Sequence, residues 1–396
     1  MIRLGRHCFI ALLLAGAPAR AQREPAPPPV PSPRAEVAPR RAQAPKSLPH
    51  VLHASVGQGF ELESADGRQS LRIGTLLSAR AGVNTQGGRS ADPTAAIRLA
   101  RIATLGRLSG DSLTYFFQGE FAGAAPSLLD ATLEWHPIDE LGLRFGRIRV
   151  PLGRQWITST AALMLPDRSV VNGYFRPGRD TGVTLEANVL GRRLEMRVGA
   201  YGERDGPLPL VGARLAVAPL GPLPYAEDIS RGDGPLRFAI GLNGYYSNAS
   251  PPPKQVVDLT TGDILSEPQP LVQRLVTGAD LALRVGGLGV FAEAYVDRRR
   301  GDAQPDTKSF GAFAQTGYFI VPNGLELSVR CELLTPDLEG GGSDGLRRYE
   351  VGLSEYFVDG SLKVQERYAH TRIVGAPGAL TRWEGDVADV QFVLAL

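Results

Sequence analysis

The chain has 396 residues, with 43 basic against 41 acidic side chains and two cysteines, Cys8 and Cys331. That near balance excludes the globally basic surface of a nucleic-acid-binding protein. Only four of the cations are lysines, so almost all positive charge is guanidinium, which stays ionised and can grip an oxyanion through two parallel hydrogen bonds.

The first 21 residues have the pattern of a signal peptide. Arg3 and Arg6 precede an apolar stretch from Cys8 to Ala17, and Ala19-Arg20-Ala21 is a small-x-small cleavage site. The stretch is about ten residues, too short for a spanning helix of about 20, so an exported chain is expected. Removing the leader leaves Cys331 alone, without an intrachain disulfide, a thiolate metal cluster or a paired redox motif. Residues 22–58 follow as a segment rich in Pro, Ala and Arg, with Pro25, Pro27, Pro28, Pro29, Pro31 and Pro33 at its start. Such a composition prefers extended conformations and has no core to bury, so it is expected to be a disordered periplasmic spacer. Residues 1–58 hold eight basic and two acidic side chains, leaving 35 and 39 over 59–396, a net charge of −4.

Residues 59–396 carry the period-two alternation of strands with one greasy and one wet face. It is clean where Leu194, Met196 and Val198 oppose Arg193, Glu195 and Arg197, and where Leu325, Leu327, Val329, Cys331 and Leu333 oppose Glu326, Ser328, Arg330 and Glu332. Continued along the chain it predicts sixteen strands near 71–83, 95–108, 112–121, 128–136, 140–150, 179–189, 193–202, 209–218, 234–247, 273–285, 288–297, 307–321, 324–334, 345–358, 361–372 and 385–396. Connections after even strands are mostly two or three residues (109–111, 137–139, 190–192, 286–287, 322–323, 359–360), and those after odd strands are mostly longer, above all 151–178 and 248–272. Two depart from this rhythm: 219–233 is long for a turn, and 203–208 is short for a loop. An even strand number with turns sorted into two length classes is the pattern of an all-β transmembrane antiparallel β-barrel, with tight periplasmic turns, long outer loops and both chain ends in the periplasm. A soluble sandwich or propeller has no reason to sort its turns, and no blade-length repeat is visible.

Specific residues then carry a family resemblance. Gly59-Phe60-Glu61-Leu62-Glu63-Ser64-Ala65-Asp66-Gly67 with Leu71-Arg72-Ile73-Gly74, then Arg98-Leu99-Ala100-Arg101, Asp130-Ala131-Thr132-Leu133-Glu134-Trp135, Leu143-Arg144-Phe145-Gly146-Arg147-Ile148-Arg149-Val150-Pro151, Asp167-Arg168-Ser169 and Arg179-Asp180-Thr181-Gly182-Val183 occur in the order found in the phosphate-selective porins of Gram-negative outer membranes. The chain resembles that family over residues 59–190. The resemblance implies a sixteen-stranded homotrimeric barrel whose third outer loop, here 151–178, folds inward to narrow the pore, and a lumen lined by cations that bind phosphate or related oxyanions. The sequence differs from that pattern in its scarcity of lysine, its net acidic barrel and its final Leu396 in place of an aromatic residue.

A porin breaks no bond; it selects by pore width and by fixed charge at the narrow point. The candidate anion-facing residues are Arg98 and Arg101, then Arg144, Arg147 and Arg149 before the inward loop, and Arg168 and Arg179 at its exit, with Glu134 and Asp180 as bracing carboxylates. Parity places Arg144 in the lumen. Arg147 and Arg149 share a face with Leu141, Leu143 and Phe145, so either Gly146 marks a bulge or both arginines lie beyond the hydrocarbon band. The expected function is passive diffusion of small anions, with a general non-selective porin as the alternative. The expected surroundings are outer-membrane lipid, lipopolysaccharide and the barrel-assembly machinery, with no cofactor, metal or nucleic acid. An outer-membrane hydrolase would need a base, and past residue 58 only His136 and His370 are available, the first beside Pro137 in a short turn. A barrel that chiefly anchors the wall through its Pro-rich tail is a third class.

Overall fold

The computed structural model describes residues 51–55, 59–86, 92–202, 208–228, 234–249, 254–257, 264–267, 272–301, 304–336, 345–374 and 382–396. The expected signal peptide and the proline-rich stretch to residue 50 lie outside the described residues. The strands in chain order are β1 (Val51–Ser55), β2 (Gly59–Glu63), β3 (Ser70–Gln86), β4 (Asp92–Arg107), β5 (Leu113–Glu120), β6 (Ser127–Ile138), β7 (Leu141–Arg149), β8 (Arg179–Val189), β9 (Leu194–Tyr201), β10 (Leu208–Val217), β11 (Arg237–Ala249), β12 (Lys254–Val257), β13 (Ile264–Glu267), β14 (Val272–Val285), β15 (Leu288–Gly301), β16 (Gln304–Val321), β17 (Leu325–Thr335), β18 (Gly345–Phe357), β19 (Leu362–Val374) and β20 (Arg382–Ala395).

Sixteen of them, β3 to β11 and β14 to β20, pair antiparallel in chain order, and β20 returns to β3 to close a barrel. Every predicted strand window overlaps one of these. Two hairpins were not expected: β12 with β13 inside the long connection after β11, and β1 with β2 ahead of the barrel. Strand β2 pairs Phe60–Glu63 with Ser70–Ile73, prolonging the wall below the point where β20 ends. The segment expected to be unstructured to residue 58 therefore ends earlier, because Val51–Ser55 finds a ladder partner.

The barrel is inside out relative to a water-soluble one. Along β17, Leu327 is 43% exposed while Glu326 and Arg330 are 2% and 1% exposed; along β20, Phe392 is 54% exposed and Gln391 3%. Such a continuous apolar exterior requires a lipid solvent outside and a polar interior. Trp135, Tyr318, Phe357 and Phe392 are all exposed near the short-turn ends of their strands, where an aromatic girdle meets the membrane interface.

The turns follow their residue types. Gly286 takes φ +54° in the two-residue connection Gly286-Gly287, a geometry that glycine adopts at little cost. At Gly146, φ is +115°, and a Cβ there would lie 2.0 Å from the Ala131 carbonyl oxygen. Only glycine fits that backbone, but the pairing of β7 with β6 and with β8 runs through Gly146 without a register shift, so the bulge that parity offered there is not formed.

Two connections turn inward. The stretch 150–178 forms the one-turn helix α1 (Arg154–Ile157), a 3₁₀ turn at Thr160–Ala162 and the short helix α2 (Val170–Phe175), whose N-cap Ser169 accepts the Asn172 N–H at 2.8 Å. Val150, Leu152, Leu163, Met164, Leu165, Val171 and Phe175 are fully buried. Phe175 stacks on Tyr295 of β15 at 5.3 Å between centroids, and Lys363 and Gln365 of β19 donate to the carbonyls of Leu163 and Met164. Contacts to strands that far round place this stretch across the lumen. Residues 218–228 of the second connection enter from the short-turn end, where Leu223, Ala226 and Glu227 are buried.

Candidate functional site

Where the inward stretch leaves and rejoins the wall, guanidiniums outnumber carboxylates. Arg149, the last residue of β7, donates Nη1 to the carbonyls of Trp156 (3.1 Å), Ile157 (3.0 Å) and Thr158 (3.1 Å). Arg168 donates to the carbonyls of Gln155 (3.1 Å) and Thr158 (2.6 Å) and to Thr160 Oγ1 (3.1 Å). The two cations thus satisfy the carbonyls left open at the end of α1, where the partial charge is negative. Trp156 anchors the arrangement by donating Nε1 to the Val150 carbonyl. Its ring carries three guanidiniums, Arg149 at 5.5 Å, Arg168 at 5.6 Å and Arg176 at 5.1 Å, a favourable use of the indole face.

Arg101 of β4 and Arg179 of β8 complete the group. Arg101 pairs with Glu120 at 2.7 Å and reaches Thr160; Arg179 donates Nε to Asp130 at 3.0 Å, while its buried Nη2 has no hydrogen-bond partner. Arg101, Arg149, Arg168, Arg176 and Arg179 therefore face only Glu120 and Asp130 within salt-bridge distance among the described residues. Burial lowers the Arg168 guanidinium to about 10, with Glu227 opposing and Arg101, Arg176 and Arg179 adding to the shift. Arg176 is lowered too, by partial desolvation of its guanidinium and then by Arg179. Guanidiniums stay charged at neutral pH, so their mutual repulsion is held in place by the fold.

The wall from β17 round to β3 is balanced. Arg80, Arg330, Arg348 and Arg367 interleave with Asp167, Glu332, Glu350 and Asp389: Arg330 lies 3.0 Å from Glu332 and 2.6 Å from Glu350, Arg348 lies 2.8 Å from Glu350, and Arg367 pairs with Asp389. Asp167, from the inward stretch, receives Arg80 at 2.7 Å and Arg367 at 2.8 Å. Burial pushes its carboxyl up, but hydrogen bonds and charge from these two arginines hold it well below the usual carboxylate range. This ladder clamps the stretch to the wall with no net charge to spare.

The family model of the phosphate-selective porins O and P matches residues 78–341. The chain belongs to that family. The porin's fold recurs in solved structures that share little sequence with it. Outer-membrane expressed OmpT of Vibrio cholerae is 11% identical with a TM-score of 0.58, over 83% of this chain and 98% of that one. The anion-selective porin from Comamonas acidovorans is 12% identical with a TM-score of 0.56, over 82% and 100%. The outer membrane channel DcaP of Acinetobacter baumannii is 13% identical with a TM-score of 0.56, over 86% and 100%. No curated protein matches the sequence. Family and fold are those of channel-forming outer-membrane porins rather than enzymes.

Four of the residues singled out in the sequence, Arg101, Arg149, Arg168 and Arg179, meet in the cationic group of the porin. Arg98 stands on the side of the balanced ladder, half exposed and 3.8 Å from Asp167. Arg144 lies toward the short-turn end, paired with Glu134 at 2.9 Å and Glu186 at 3.1 Å beside a cavity of about 670 Å³. Arg147 donates to the Leu128 carbonyl. Glu134 pairs with Arg144 and also meets His136 at 3.1 Å. Asp180 is buried and accepts the Thr181 N–H, while the Arg179 side chain is held by Asp130. Sequence reasoning missed Arg176, Asp130, Glu120 and the aromatic plate Trp156. The signal for Arg176 was its place in the same long connection as Arg168.

Proposed function

We propose that this outer-membrane porin passes small anions by diffusion, selecting them at the narrow point beside the 150–178 stretch. One observation carries the reading: where the stretch is rooted, five guanidiniums gather and, among the described residues, only Arg101 and Arg179 pair with a carboxylate, Glu120 and Asp130, while Arg176 is exposed. A fixed cationic group in a narrow, low-dielectric lumen raises the local concentration of anions, and its charge counts for more than the net charge of the barrel. Phosphate and related oxyanions suit guanidinium forks, and the Comamonas acidovorans neighbour is an anion-selective porin. The short-turn end belongs in the periplasm, with both chain ends, and the long connections outside, in keeping with how such barrels are built. A homotrimer fits the same reading, since OmpT of Vibrio cholerae is described in a trimer form.

The balanced ladder favours a second reading, a general porin with weak preference. The reversal potential of the purified barrel in asymmetric KCl separates them. Anion preference together with reduction of chloride current by millimolar inorganic phosphate is the expected result, and preference for cations ends the anion reading.

A further inference from the structure

The connection between β10 and β11 was conspicuous in the sequence for its length, and its course explains why. It leaves β10 at Ala218, and Tyr225 is caught by the wall: its hydroxyl meets Glu195 at 2.5 Å and Arg214 at 3.2 Å, and Arg154 stacks over its ring at 4.7 Å. It then runs beneath the inward stretch. Arg154 of α1 donates to the carbonyls of Leu223 and Pro224. The Glu227 N–H donates to the Ala162 carbonyl at 2.8 Å. The Glu227 carboxylate accepts Gln155 Nε2 at 3.1 Å and the Met164 N–H at 3.2 Å.

Further along, Asp228 pairs with Lys363 at 3.1 Å. Lys363 belongs to β19, and the ladder passes from β10 through β11, β14, β15, β16, β17 and β18 to reach it, close to half-way round a sixteen-stranded barrel. Residues 218–228 therefore cross the lumen. An apolar cluster of Met164 and Leu165 from one connection and Ala218 and Leu223 from the other, against Ala239, Ala282 and Phe291 of the wall, seals the contact.

We infer that residues 218–228 are a latch: a second inward segment that narrows the lumen from the short-turn end and fixes the constriction from below, with Glu227 as the positioning residue that joins the two. The inference rests on the channel reading but not on anion preference. Chains of hydrogen bonds between two loops, each rooted in a rigid wall, have discrete closed and released arrangements, so breaking the latch changes the width of the path and leaves the barrel intact.

The test is single-channel conductance of the full-length porin in planar bilayers. Glu227→Ala and Lys363→Glu each raise conductance about twofold or more, and Asp228→Lys added to Lys363→Glu returns it toward wild type by restoring the pair with reversed sign. Heat-modifiable migration on gels establishes that each barrel is assembled. Should Glu227→Ala fail to assemble, Ala226→Cys in a Cys331→Ser background reports instead: this buried position reacts slowly with a hydrophilic maleimide when the latch is closed, and faster with Lys363→Glu added. Selectivity is read separately from the sign of the reversal potential. A cation-preferring channel that widens with Glu227→Ala retains the latch and loses the anion reading. An assembled Glu227→Ala or Lys363→Glu barrel with wild-type conductance, or an Ala226→Cys position whose reactivity ignores Lys363→Glu, overturns the latch.

Discussion

Reversing the charge of Arg176 is the sharpest probe of selectivity, because this guanidinium is exposed, lies against Trp156 at 5.1 Å and neutralises no carboxylate among the described residues. A unit charge about 7 Å from an ion path contributes about 0.6 kcal/mol in water. Screening over a Debye length of about 8 Å roughly halves this at physiological ionic strength. Arg176→Glu changes the local charge by two units, so a passing anion loses and a passing cation gains about 0.5 kcal/mol each, and the anion-to-cation permeability ratio falls about fivefold. The assay is the zero-current potential across a bilayer in asymmetric KCl, at two ionic strengths, with the smaller change at higher salt. Arg300→Glu serves as the control: Arg300 is 70% exposed and pairs with Asp306 at the long-loop end. Equal shifts from the two substitutions, or none from Arg176→Glu, would refute the assignment of the constriction charge.

Three further outcomes follow from the packing. Phe175→Ala removes a fully buried ring stacked on Tyr295, a loss of about 3–5 kcal/mol, and should appear as a noisier and larger open-channel current; a quiet trace of wild-type size would count against inward packing of α2. Arg330→Met leaves Glu332 and Glu350 buried without their shared cation, costing about 3–5 kcal/mol and lowering the temperature at which the folded band converts on gels, whereas Arg300→Ala should leave it unchanged. Asp167 has a depressed folded-state pKa, so its clamp on the inward stretch is fully present above its unfolded value of about 4 and is lost only as pH falls through the lower folded one. Conductance should therefore be flat between neutral pH and about pH 4, while Asp167→Asn raises it at neutral pH; a rise near pH 5 in wild type would contradict the pairing with Arg80 and Arg367.

The wall was legible because strands that separate lipid from water have to alternate. Met196 and Val198 against Glu195 and Arg197 state that alternation in the sequence, and the same side chains are exposed and covered in the barrel. The hairpin β1–β2 was not legible: its strands are five residues each, beside a proline-rich stretch, and they owe their ladder to β3. Within the lumen, parity tells which way a side chain points but not what it meets. Parity pointed Arg144 into the lumen, but not that it is paired with Glu134 and Glu186. Arg176, in a stretch with no period, makes no ion pair among the described residues. The anomalous length of 219–233 was visible, but its destination depends on Asp228 finding Lys363 across 135 residues of chain, which no local pattern encodes.

The closing seam bears on how such a chain can be assembled at all. Strand β20 pairs with β3 from Gly385–Gln86 to Ala395–Leu76, and Leu396 exchanges backbone hydrogen bonds with Thr75. Arg80 and Gln391, bonded at 2.9 Å, are separated by 311 residues. Until the last strand arrives, the first offers an open edge, and every intermediate sheet shows water both a ladder of unpaired amides and an apolar face. There is no stable half-product to wait in, and contacts this distant in sequence form slowly. A truncation that removes only β20 should therefore abolish the folded barrel rather than leave one strand short.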